Sequence, residues 1–237
     1  MKAFLPVFVA IVAGYGCQPA GDENGRVPMT SPVAELSQED LSAFFDAYRT
    51  NARPEMIASA MVSAAKIPKA NAVPPLSGFF GRVFERNPER HAEWKSTLDG
   101  LPTGMLKTAL LQELAGKGPD VVRRGLISAG DLDYCWGAYQ ASGDVKYANL
   151  IIGYALRTVP KDRIDMTIMA ARWSVTSFAR KDLSVRKALN DALRKADATA
   201  FAGFFDRMDE QTIVTICDPD LIPRAKEAAG PRFGPRR

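Results

Sequence analysis

Asp131 to Pro160 reads DLDYCWGAYQASGDVKYANLIIGYALRTVP, a stretch in which start signal, apolar period, turn and stop agree. Leu132, Cys135, Trp136 and Tyr139 fall at i, i+3, i+4 and i+7, and Tyr147, Leu150, Ile151, Tyr154 and Ala155 repeat that spacing. Each run therefore lines one face of a helix. Asp131 is placed to accept from the free amides of the first helix, Gly143 to end it in the left-handed conformation, Asp144 to cap the second, and Pro160 to stop the pair. The expectation is a helix hairpin.

Helical spacing continues on both sides. Ser37 and Asp40 read as a capping box before Leu41, Phe44, Phe45 and Tyr48, predicting a helix over about 38–50. Met56 to Ala65 predicts a small-residue helix, and Ile67 to Pro75, with Pro68, Pro74 and Pro75, a linker. Leu76, Ser77, Gly78, Phe79, Phe80 then echoes Leu41, Ser42, Ala43, Phe44, Phe45 at an interval of 35 residues, with a weaker third echo at Gly203, Phe204, Phe205. Repetition of an aromatic-faced helix is the mark of stacked helix pairs, since one unit cannot bury its face alone. Further helices are predicted over 88–98, 105–115 and 119–127, then one through Ile164, Ile168, Ala171, Val175 and Phe178 and another through Val185, Leu189 and Leu193. The turns between them recur at uneven intervals, and no stretch alternates with period 2. The predicted fold is all-α, an irregular, α-solenoid-like stack of antiparallel helix pairs occupying 37–216 as one domain, followed by a solvated C-terminal tail over 217–237.

Met1 to Gly16 carries one lysine, an apolar run from Ala3 to Ala13, and small residues at Gly14 and Gly16 before Cys17. The run is shorter than the ~20 apolar residues a permanent span requires, and reads as a removable export signal over 1–16. Residues 17–36, rich in proline and glycine and without apolar period, read as a flexible tether. The net charge of +4 falls to +3 once Lys2 is lost. Basic and acidic residues are interspersed, with no basic stripe interleaved by aromatics, which argues against nucleic acid as a partner.

Gly14, Tyr15, Gly16 and Cys17 resemble the bacterial lipobox, although that pattern prefers an aliphatic residue where Gly14 stands and a small one where Tyr15 stands. The resemblance implies acylation of Cys17 and a membrane anchor facing the periplasm; Gln18 suits outer-membrane sorting. A chain exported without lipid would be secreted. Residues 129–160 resemble one tetratricopeptide repeat, with Tyr139, Gly143, Ala148, Ile152, Ala155 and Pro160 in register. Leu132 stands where that family prefers Trp, and Trp136 where it needs a small residue. Asp133, Trp136, Gly137, Tyr139, Gly143, Asp144 and Tyr147, with Ala171, Arg172, Trp173 and Ser174, are also similar to a group of uncharacterised bacterial envelope proteins, which brings no activity with it.

Reactive constellations are sparse. His91, the only histidine, lies in His-Ala-Glu, but the cysteine pair of a zinc deaminase is missing, and no G-x-S-x-G turn presents a serine for a triad. Ser63 with Lys66 and Ser184 with Lys187 satisfy S-x-x-K without its companion motifs. Asp131, Asp133 and Asp144 cluster at the hairpin, where caps and first-turn acids account for them. Cys135 and Cys217 would share an oxidising compartment; a bridge between them and a pair of free buried thiols both stay open. Trp94, Trp136 and Trp173 read as core anchors. No catalytic, cofactor-binding or metal-ligating set is assigned. The expected role is a non-catalytic, lipid-anchored envelope protein whose helical domain binds an envelope protein. The alternatives are an immunity protein against a periplasmic toxin, and a cell-wall-active enzyme with Glu85, Glu89 or Glu93 lining a groove.

Overall fold

The structure, a computed structural model, describes residues 33–67, 69–159, 165–206 and 208–230. Among the described residues there are thirteen α-helices, some introduced by 3-10 turns, and no strand, so the fold is all-α. The chain divides into two compact units, Met1–Gly118 with Gln140–Ser142, and Pro119–Tyr139 with Gly143–Arg237. Each has its own apolar cluster. Where one helical domain is expected over 37–216, the described residues fall into these two units. The predicted signal, Cys17, most of the tether, Pro68, Pro160, Ile164 and 231–237 lie outside the described residues.

The first unit holds α1 (Gln38–Tyr48), α2 (Ile57–Ala64), α3 (Val73–Arg86), α4 (His91–Gly100) and α5 (Met105–Leu114). Ser37 caps α1 by accepting from the Asp40 amide. Prolines open the next helices: Pro54 and Pro88 start 3-10 turns that run into α2 and α4, and Pro74 stands in the first turn of α3. A proline there sacrifices no intrahelical hydrogen bond, because the first four amides have no partner. This is why the expected linker over 67–75 ends at Val73. The two echoed segments pack on each other: the Phe45 and Phe79 rings lie 4.8 Å apart edge-to-face, and Tyr48 and Phe79 5.1 Å apart. Phe84 and Trp94 extend the cluster with centroids 5.3 Å apart.

The second unit holds α6 (Val121–Arg124), α7 (Ala129–Ser142, with its last turn assigned to the first unit), α8 (Val145–Ala155), α9 (Met166–Ala179), α10 (Leu183–Lys195), α11 (Ala198–Phe205), α12 (Glu210–Ile216) and α13 (Ile222–Ala229). α6 is shorter than expected because Gly125, at φ 78°, turns the chain out of the helix. Gly143 ends α7 at φ 66° and Asp144 caps α8, as expected. The start of α7 is corrected: Ser128 is the cap, and Asp131 closes a capping box three residues on. The tail expected from 217 carries α13, with Cys217, Leu221 and Ala225 buried and the Arg224 guanidinium 3.8 Å from the centre of the Phe201 ring.

α8, α9 and α10 pack on one another, and a recurring contact closes their ends. Arg172 of α9 donates to the Ala155 and Arg157 carbonyls at the end of α8. Arg186 of α10 does the same to Ala179 and Arg180 at the end of α9, and Asn190 donates to the Ile216 carbonyl at the end of α12. Side-chain donors thus satisfy carbonyls that the last turn of a helix leaves without a partner, and the two arginines put positive charge where the helix dipole is negative.

Candidate functional site

The residues singled out in the sequence are mostly structural. His91 is half-buried with Nε2 2.9 Å from the Phe84 carbonyl oxygen. A carbonyl only accepts, so the proton sits on Nε2 and the ring closes the end of α3. Ser63 Oγ accepts from the Leu36 amide at 2.8 Å and donates to the Leu36 carbonyl at 3.1 Å, while Lys66 pairs with Glu35. That serine–lysine pair fastens the segment entering α1. Ser184 is exposed in the first turn of α10, where its amide donates to the Asp182 cap. Glu85 and Glu93 are exposed and paired with Arg82 and Arg90, and Glu89 is exposed in the 3-10 turn before α4. Among the described residues, no group of histidine, cysteine and acidic side chains is arranged to hold a metal.

The three hairpin aspartates part company. Asp131 takes both guanidinium nitrogens of Arg124, at 3.0 and 2.6 Å, and the amides of Ile127 and Ser128. Burial pushes its carboxyl up, but the Arg124 and backbone hydrogen bonds outweigh this and hold it below the usual range. Asp133, two residues on, has only burial acting on it, which pushes it up to about 6. Asp144 caps α8 and pairs with Lys146 at 2.8 Å.

Cys135 and Cys217 are both free and buried, so the bridge is not formed. Burial pushes each thiol up to about 12, which leaves both unreactive at neutral pH. Trp94 and Trp136 are core anchors at 0% and 5% exposure. Trp136 lies flat on Phe178, centroids 3.8 Å apart and planes within 2°, and Tyr139 beside it donates to Asp182 at 2.9 Å. Trp173 is the correction: it is 41% exposed.

Sequence reasoning missed two features. The first is Glu113, a buried carboxylate that accepts from Ser77 Oγ at 2.9 Å. A Cβ added at Gly81 would fall 2.3 Å from it, and one at Gly118 2.1 Å, so both positions need glycine for room. Gly81 in the middle of α3 was the available signal, since an interior helix glycine costs about 1 kcal/mol and calls for a packing reason.

The second is α9, which turns large apolar side chains outward as well as inward. Ile168, Ala171, Val175 and Ala179 face the core, while Met166 is 70%, Met169 53% and Trp173 41% exposed on the opposite side, with Ala170 exposed among them. A surface helix normally turns a polar face to water. This one presents a thioether–indole stripe instead, and such stripes are characteristic of recognition surfaces. The signal was present: the stretch Met166–Phe178, MTIMAARWSVTSF, contains one charged residue, Arg172, and that residue turns inward to cap α8.

Comparison with protein-family models, with curated proteins and with solved structures found no match for this chain.

Proposed function

We propose that this chain is a non-catalytic, lipid-anchored protein of the bacterial cell envelope whose helical domain binds another protein through the outward face of α9. The observation that carries the reading is the exposed stripe Met166, Met169 and Trp173 on a helix already buried on its other side. Burying such a stripe yields about 25 cal/mol per Å² of apolar surface, and an indole at its centre suits a contact that carries much of the affinity. The export signal and the Cys17 lipobox resemblance support the compartment. The tetratricopeptide-like pairing over 129–160 supports a helical scaffold that presents a face rather than a reaction centre.

The test is capture from solubilised envelope membranes with the mature domain as bait. The wild-type chain is expected to retain one defined envelope protein, and the Met166→Glu, Trp173→Glu chain to release it while keeping its helical circular dichroism. Equal capture by both would place binding elsewhere; a captured glycan, or nothing, would end the protein-binding reading. Anchoring is tested separately by Cys17→Ser, which is expected to move the protein from the membrane to the soluble fraction.

A further inference from the structure

The turn from α9 into α10 reads RKDLSVRK over 180–187, and most of its charge is spent inside the molecule. The Asp182 carboxylate accepts from Tyr139 Oη and from the Ser184 and Val185 amides. Arg180 is bonded to Thr212, which itself donates to Asp209, and Arg186 donates to the Ala179 and Arg180 carbonyls. Further along α10, Asp191 pairs with Arg194. Lys181 and Lys187 are left over: both are exposed, and neither side chain has a hydrogen bond or ion pair among the described residues.

Between these two cations stands Leu183, 74% exposed, more than any other large apolar side chain among the described residues. It is the first residue of α10, a helix that the Asp182 cap starts, so nothing in the fold asks for leucine there. The Tyr139–Asp182 hydrogen bond ties this turn to the last part of α7, which puts the Gly143 turn and the exposed Val145 at the same end. Lys146 and Asp144 pair with each other there and add no net charge. The end thus offers a protruding apolar tip flanked by unspent positive charge. A leucine and a valine supply little of the ~1,200–2,000 Å² that a stable protein interface buries. A bilayer surface demands no matching shape: the apolar tip enters below the headgroups, while lysines lay their aliphatic stems along it and keep their ammonium groups at the phosphates. The sign of the free charge is complementary to anionic lipid.

We infer that the α9–α10 turn is a lipid-contact edge, with Leu183 inserted at the surface of an anionic bilayer and Lys181 and Lys187 on its headgroups. The inference deepens the reading of the chain as an anchored envelope protein, and rests on it for the nearness of a membrane. Each lysine contributes about fivefold to partitioning, so the edge holds a surface weakly. It orients a chain that its lipid already keeps there.

The experiment uses the chain from residue 17 onward with Cys17→Ser, so that neither lipid nor export signal contributes. Its binding is measured on vesicles of phosphatidylcholine alone and of phosphatidylcholine with phosphatidylglycerol. Binding is expected on the anionic vesicles only, and is expected to weaken with added salt. Leu183→Gln is expected to weaken it about tenfold, and Lys181→Gln with Lys187→Gln about twentyfold, both with unchanged circular dichroism. Lys69→Gln with Lys117→Gln removes the same charge from exposed positions of the first unit and is expected to bind as the parent does. A fluorophore on Ser184→Cys, the one reactive thiol because Cys135 and Cys217 are buried, is expected to shift to the blue on the anionic vesicles. Binding that ignores the changes at Leu183, Lys181 and Lys187, or that falls equally with the Lys69 and Lys117 changes, would overturn the inference. So would equal binding to neutral vesicles, or binding to neither. If vesicle binding fails while Cys17→Ser moves the protein to the soluble fraction in cells, the edge falls and the anchor stands. If vesicle binding holds while Cys17→Ser leaves that fractionation unchanged, the lipid anchor falls and the edge stands.

Discussion

The two units start their helices by different means. In the first, only α1 has a side-chain cap, at Ser37, and prolines open the way into α2, α3 and α4. In the second, every helix except α13 begins with an aspartate or serine that accepts from the exposed amides: Asp120, Ser128, Asp144, Asp165, Asp182, Asp197 and Asp209. The first unit is held chiefly by rings, and the second adds ionised groups at its helix ends. The two should therefore fail under different stresses. Ring packing is indifferent to pH, whereas a carboxylate cap weakens when it is protonated.

The first unit should respond most strongly to a single substitution. Phe79 touches Phe44, Phe45, Tyr48 and Phe80. Phe79→Ala should cost about 3–5 kcal/mol, read as a lowered urea midpoint. Amide protection should fall across 33–118 while 165–230 keeps most of its own. Equal loss in both regions would show that the units are not separately stable. A smaller loss, about 2 kcal/mol, is expected for Gly118→Ala, whose new methyl meets the Glu113 carboxylate. Adding Glu113→Ala to that chain should cost less than the two changes made separately, because they share one space.

These features also mark what could be read from sequence and what could not. The echoed phenylalanines, the central hairpin and the Asp144 and Ser37 caps were legible because they are local: periodicity, turn chemistry and a residue three positions away define them. The division into two units was not, since Leu41 and Leu132 look alike in a sequence and only their neighbours separate them. Asp131 looked like a cap because Ser128 and Arg124, which give it its place, count only once the turn at Gly125 is known. The arginine caps Arg172 and Arg186 reach carbonyls in the preceding helix, which no spacing rule predicts. The stripe on α9 hid for a related reason: a helix with large apolar residues on opposite sides reads as buried, and only the packing shows which side is not.

In the second unit, Asp131 and Asp133 respond to pH in opposite senses. Asp131 is held below its usual range, so its contribution is complete above the unfolded value near 3.8 and is lost as pH falls through its folded value. Asp133 is raised to about 6, so the folded state binds its proton more tightly, and stability declines as pH climbs from about 4 to about 6. Thermal stability of this unit should therefore peak near pH 4–5. Asp133→Asn should gain about 2 kcal/mol at pH 7 and nothing below pH 4, moving the peak toward neutrality. A gain that is the same at both pH values would mean that packing, not ionisation, sets the effect.

The smallest effects sharpen the contrast between the units most directly. Asp197 accepts from the Ala200 amide at 2.8 Å to cap α11, the helix that carries Phe201, Phe204 and Phe205 into the core. Asp197→Ala should cost about 1 kcal/mol at pH 7, because an orphan amide loses its acceptor. Asp197→Asn keeps an acceptor but removes the negative charge that the helix dipole favours, and should cost only about 0.3–1 kcal/mol. Ionisation and geometry are thus separated at one position. At the α12 cap, hydrogen bonds from Thr212 hold the Asp209 carboxyl below its usual range, so Asp209→Asn should flatten the loss of stability in acid, whereas Ser37→Asn in the first unit, where the native cap carries no charge, should leave acid dependence as it was. If both substitutions flatten the acid profile equally, the contrast between a ring-held unit and an ion-capped one fails, and protonation elsewhere in the chain must govern its response to acid.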